Sequence, residues 1–288
     1  MIQRLLLSAL VGIAAAFSTR AAEPADTLRP YRPVTSAYTL GLGTSHICDT
    51  YLTPLHYTGI GAEMRYERLS AMAFDPDRWI MQLDARLILD ATENPARNAS
   101  MSGLEMRLSW SMMRRFRIAS VPGLRLFCGG YTDLGGGALL LARNGNNPAQ
   151  ARAAWTLGPT VMGVWNHRFS RLPVTLRYQA RMPLIGAFFS PDYGELYYEI
   201  YLGNHRGLAH VAWPGSYFRL DNLLSADLHL GNTSLRIGYA ADILSSKANN
   251  IVTRHITHLF VIGVTTESIT IGRSRGIDPH ARIISAIY

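Results

Sequence analysis

The chain has 288 residues, 48% of them hydrophobic, and a formal net charge of +8. It is too apolar for a disordered chain and long enough to bury a core or close a barrel. No run reaches the roughly 18 apolar residues of a membrane-spanning helix, and the arginines alternate with acids instead of clustering, which excludes nucleic acid as the expected partner.

The first 22 residues, "MIQRLLLSALVGIAAAFSTRAA", have a short basic start with Arg4, an apolar stretch from Leu5 to Phe17 and small residues at Thr19, Ala21 and Ala22. That pattern is a secretory signal peptide, and no cysteine follows it to make a lipoprotein. Residues 23–34, "EPADTLRPYRPV", read as a Pro-rich periplasmic lead-in. From 35 to 264 the chain alternates with period two, the signature of strands with one apolar and one polar face. "GIGAEMRYERL" sets Ile60, Ala62, Met64 and Tyr66 against Glu63, Arg65 and Glu67. "MQLDARLIL" opposes Asp84 and Arg86 to leucines, and "LEMRLSWSM" does the same for Glu105 and Arg107. "VTLRYQARM" (Arg177, Arg181), "ELYYEIYL" (Glu195, Glu199), "LLSADLHL" (Asp227) and "SLRIGYAADI" (Arg236, Asp242) continue the pattern. With less regular runs near 123–142, 151–166, 207–213 and 254–264, the count reaches about twelve strands, each near the 9–11 residues that cross a bilayer at a tilt.

Connector lengths agree. "AFDPDR", "RLP" and "GNT" are short, whereas Ser45–Gly59, "ATENPARNAS", "RNGNNPAQ", "LIGAFFSPDYG" and "SSKANN" are longer. Such alternation accompanies periplasmic turns and extracellular loops. A soluble sandwich also alternates. The signal peptide, the spanning length, the mixed charges on the polar faces and Trp79, Trp110, Trp155 and Trp165 as interfacial girdles favour lipid. The expectation is an all-β, transmembrane, antiparallel up-and-down barrel in the outer membrane of a Gram-negative bacterium. Its expected lumen is lined by Glu63, Arg65, Glu67, Asp84, Arg86, Glu105, Arg107, Arg177, Arg181, Glu195, Glu199, Asp227, Arg236 and Asp242. Cys48, expected in a loop, and Cys128, expected in a strand, are expected to be free. Residues 265–288 read as extra strands or a periplasmic extension.

The stretches "DTYLTPLHYTG" (Asp49–Gly59), "RNGNNPAQARA", "LRYQARMPLIGAFFSPDYGELYYEI" and "LRIGYAADI" resemble an uncharacterised outer-membrane β-barrel family of Bacteroidota, a domain of unknown function. The resemblance runs from about Gly41 to Val264 and is most specific over Ser190–Glu199. It implies a barrel and an outer-membrane location, and brings no activity, ligand or catalytic residue.

Two functions remain open from sequence. The first is a non-enzymatic, porin-like barrel, either a narrow channel or a structural and interaction protein. Twelve strands are few enough for long inward side chains to fill the lumen with ion pairs. A residual water path would favour anions through the arginine surplus, so outer-membrane lipid and small solutes or anions are the expected partners, with protein partners unspecified. The second is a lipid-modifying hydrolase of phospholipase or lipid A deacylase type. Ser190, His46 and Asp49, with Ser45 and His56 nearby, are the residue types that nucleophilic catalysis uses. No metal or cofactor is expected: His205, His210, His255 and His258 do not share one face, and Gly135–Gly137 is no phosphate loop.

Overall fold

The computed structural model describes residues 30–145, 147–169, 172–231, 233–269 and 282–288; the expected signal peptide lies outside them. Twelve antiparallel strands form one sheet: β1 (Val34–Asp49), β2 (Thr53–Ala71), β3 (Trp79–Glu93), β4 (Ser100–Arg117), β5 (Leu124–Leu140), β6 (Ala149–Phe169), β7 (Leu172–Arg181), β8 (Ile185–Phe189), β9 (Ala209–Ala212), β10 (Tyr217–Leu230), β11 (Thr233–Ala248) and β12 (Ile251–Ser268). Strand β1 pairs with both β2 and β12, the latter from Val34↔Ser268 to Asp49↔Thr253. The sheet thereby closes, which satisfies the backbone polar groups that lipid cannot. The result is an up-and-down transmembrane barrel.

The wall has fewer positions than strands. Strand β8 continues the line of β7 along β6, since Thr160↔Arg181 is followed by Leu157↔Ile185. Strand β9 continues β10 in the same way, pairing with β8 as β10 pairs with β7. Ten positions therefore surround the lumen, and β8 and β9 add height on one side.

Several connectors differ from expectation. Ser45–Gly59 is mostly strand, because β1 runs to Asp49 and β2 resumes at Thr53; Cys48 accordingly lies in β1. Both cysteines are free, Cys48 buried and Cys128 exposed. "SSKANN" ends in a two-residue turn, Asn249 and Asn250, at φ of 49° and 60°. Tight hairpins require that left-handed pair, and asparagine tolerates it better than most residues. The alternating run Glu195–Leu202 is not a strand. It carries a short helix, α1 (Tyr197–Tyr201), bracketed by Gly194 and Gly203 at positive φ (85° and 109°). Backbone freedom at those glycines and the Glu199 carboxylate, which accepts from Leu196 N at 3.0 Å, turn the chain against its own period-two pattern.

Polarity is inverted relative to a soluble fold. Leu40, Leu42, Ile60, Met64, Met106 and Phe260 are exposed on the outside, whereas inward Glu67, Asp84, Arg177, Asp227 and Arg236 are each 1% exposed or less. Trp110 and Trp155 also face outward. The ends of the lumen are apolar. Ile47, Tyr51, Tyr57, Met101, Leu139 and Ile251 cap one end. Leu69, Ile80, Met113, Phe127, Met162 and Val164 form a collar at the other, where the chain enters and leaves the wall. Arg282–Tyr288 adds no wall strand and does not lie free beyond the barrel. Ala286 and Ile287 are completely buried inside that collar, where apolar side chains escape water.

Because the outer belt meets lipid, Met106→Arg is expected to destabilise the barrel by about 2–4 kcal/mol. Urea titration of the protein refolded in lipid vesicles measures this.

Candidate functional site

Several wall strands repeat one inward programme: apolar, charged, apolar. On β2 it reads Leu69, then Glu67, Arg65 and Glu63, then Tyr57; on β4 it reads Met113, then Arg107 and Glu105, then Met101. The charged middle thirds meet in the lumen. Among the described residues, eight arginines and eight carboxylates join there within 4.0 Å.

The pairs interlock in three groups. Nearest the collar, Glu67 accepts from Arg177 and Arg236, each at 2.8 Å, and Arg236 also grips Asp227 through two bonds of 2.6 and 2.8 Å. Gln82 donates to Glu67 at 2.6 Å, and Gln82 and Gln179 exchange bonds with each other. In the middle, Arg86 bonds Asp84 at 2.6 Å and also Asp221, with Arg65 and Arg181 set around the same two carboxylates. Above them, Arg107 joins Asp133 at 2.5 Å and Asp242 at 3.1 Å, while Arg219 joins Asp242 at 2.7 Å and Glu105 at 2.6 Å. Three of these links, Arg86–Asp221, Arg107–Asp242 and Arg177–Glu67, connect β3 to β10, β4 to β11 and β7 to β2. Each pair of strands is five positions apart in the ring of ten. The side chains bridge the full diameter.

Twelve of the fourteen residues expected in the lumen face it. Glu195 and Glu199 do not. Glu195 is buried in the β8–β9 loop, where it accepts from Asp192 N at 2.9 Å and Asn204 Nδ2 at 2.6 Å, bracing the loop; Glu199 is exposed on α1. Tyr51 donates to the Glu195 carbonyl at 2.6 Å. Burial, then the neighbouring Tyr197 and Glu195, hold its phenol above the ordinary range, so it stays a neutral donor. Sequence reading missed Asp90, Asp133, Arg152, Arg219, Asp221 and His255. Asp90 and Asp221 share the phase of the expected strands and needed only longer strands; the glycines of β5 hid Asp133.

The residues offered for hydrolysis are not brought together. His46 is on the outward face of β1, while Ser45 and Asp49 face inward. Asp49 accepts from Tyr51 N at 3.1 Å and Thr253 Oγ1 at 2.8 Å, holding the β1–β2 turn. The Ser190 hydroxyl is directed to the Pro191 carbonyl at 3.4 Å, and His56 is exposed on β2. A different serine–histidine–aspartate group exists in the lumen. His255 Nε2 lies 3.3 Å from Ser45 Oγ and 3.2 Å from Asp90 Oδ1, and Arg152 reaches its Nδ1 at 3.3 Å. A guanidinium only donates, so Nδ1 accepts and the proton sits on Nε2. The nitrogen facing Ser45 is therefore a donor, unable to take the serine proton as a general base must. Gly103 makes room for this group, since a Cβ there would lie 2.6 Å from Asp90 Oδ2.

The family model described as "Protein of unknown function (DUF3316)" matches residues 3–275. The chain belongs to that family. No curated protein matches the sequence. Among solved structures, the DUF3316 chain is similar to the outer membrane protease OmpT from Escherichia coli, at 8% identity and a TM-score of 0.49 over 84% of this chain and 98% of that one. It is also similar to the translocator domain of the autotransporter NalP from Neisseria meningitidis (10% identity, TM-score 0.37, 92% and 95% covered). A third is a Pseudomonas aeruginosa FadL homologue (9%, 0.32, 82% and 90%).

Removing one charge of the middle group strands its partners. Asp221→Asn is expected to cost about 3–5 kcal/mol of stability, whereas Glu199→Gln on the exposed helix stays within about 0.5 kcal/mol. Parallel urea titrations of the two variants compare them.

Proposed function

We propose that this chain is a closed, non-catalytic barrel of the outer membrane of a Gram-negative bacterium, a member of the Bacteroidota by its sequence resemblance, serving as a structural or interaction protein. The observation that carries the reading is the set of arginine–carboxylate pairs that link opposite walls across the lumen and so stand in the way of a solute. The eight arginines of these pairs are matched by eight carboxylates, and Asp90 adds a further acid beside them, so the arginine surplus of the chain does not lie in the charged middle and supports no preference for anions there. The apolar belt supports outer-membrane lipid as the surrounding partner, and the leader at residues 1–22 supports export. In this orientation the collar end, with its short turns, faces the periplasm, and the β8–β9 loop faces outward.

In a planar bilayer the folded protein is expected to show no stable open level. Arg86→Ala combined with Asp221→Ala, which removes both halves of one bridge, is expected to introduce one. A steady conductance from the unaltered protein overturns the reading.

A further inference from the structure

The collar end holds a feature built like a recognition site. Four consecutive backbone carbonyls of the inserted segment are each caught by the wall. Arg115 donates to Ser285 O and Ala286 O, both at 2.7 Å, Asn166 Nδ2 to Ile287 O at 2.9 Å, and Arg125 to Tyr288 O at 3.0 Å. Between these donors, Ala286 and Ile287 fill the apolar collar. Tyr288 donates its hydroxyl to Asp227 at 3.1 Å and sets its ring edge-on to His229, 4.9 Å between centroids. Burial, then the Asp227 charge, hold that phenol above the ordinary range, so it remains a donor.

This is the anatomy of a peptide site. Donors aimed at carbonyls read an extended backbone that every peptide has, while a collar and an aromatic pocket read side chains. The segment is not woven into the wall. Among the described residues its backbone pairing is a single bridge, Tyr31↔Ile283, with bonds of 2.9 Å on either side. It can therefore leave without breaking a wall strand. Beside it lies a cavity of about 730 Å³ lined by Arg125, Arg168, His229, Ser234, Glu267 and Tyr288, large enough for a bulkier occupant.

We propose that the collar-side mouth is a binding site for an extended peptide with small and apolar residues followed by an aromatic one, and that Arg282–Tyr288 is the ligand it holds in cis. The site takes a peptide of the same chemistry in trans when its own segment is displaced. The inference does not depend on the lumen being closed, because every contact lies at or below the collar-side charge group.

The test uses the chain truncated after residue 281, refolded in detergent and checked by heat-modifiable electrophoretic mobility, with a fluorescein-labelled RIISAIY peptide as the probe. Saturable binding is expected to the truncated barrel and at least tenfold weaker binding to the intact chain. Arg115→Ala in the truncated barrel is expected to weaken it at least tenfold again. A folded truncated barrel that binds no better than the intact chain, or binding indifferent to Arg115→Ala, overturns the proposal. Should truncation prevent folding, the full-length Ile287→Asp variant, which places a charge in the collar and expels the segment, is titrated with the same peptide. Absence of binding there overturns it equally.

Discussion

A charged side chain inside a barrel whose outside is lipid has one place to find its counterion, and that is another part of the wall. The rest of this structure follows from that constraint. Burying an ion is costly unless it is paired and hydrogen-bonded, so each luminal arginine must reach a carboxylate, and the nearest suitable ones are often across the lumen. Glu67, shared by Arg177 and Arg236, and Asp221, surrounded by Arg65, Arg86 and Arg181, are the nodes at which opposite sides are tied together. Ten wall positions make a barrel narrow enough for arginine to span; a wider one would need water between the walls.

The same economy governs the ends. Past the charged middle, inward positions become apolar, and two hydrophobic closures form from side chains on neighbouring strands. One is completed by the Thr50–Leu52 turn and by Tyr197 of α1, held through the Tyr51–Glu195 bond. The other is completed by the inserted segment. On the proposed reading of a closed barrel, the mouths and loops are the surfaces left for partners to reach. The Ser45–His255–Asp90 group shows why geometry has to precede chemistry: the residue types of a hydrolase are present, but the histidine offers the serine a proton instead of accepting one.

Much of the wall was legible from the sequence. Alternation is a local property, fixed by the backbone of each strand, so the inward phase of Glu63, Arg65, Glu67, Asp84, Arg86, Glu105 and Arg107 can be read without knowing the fold. It fails where local backbone chemistry competes, as at Glu195–Leu202, where flanking glycines and a capping carboxylate make a helical turn from an alternating pattern. Alternation also under-reads strand length. Ser45–Asp49 and Thr53–Gly59 stand at the end of the wall, where outward residues become polar and the lipid signal fades, yet their hydrogen-bonded pairing continues.

By itself, then, the sequence determined the class of structure and the side of the wall on which each charge falls, because period two needs only neighbours along the chain. Tertiary structure alone decided that twelve strands fill ten positions, that Arg86 meets Asp221 and Arg107 meets Asp242, and that Arg282–Tyr288 turns back into the mouth. Those outcomes depend on closure and register, which bring together residues more than a hundred positions apart, and no local pattern carries that information.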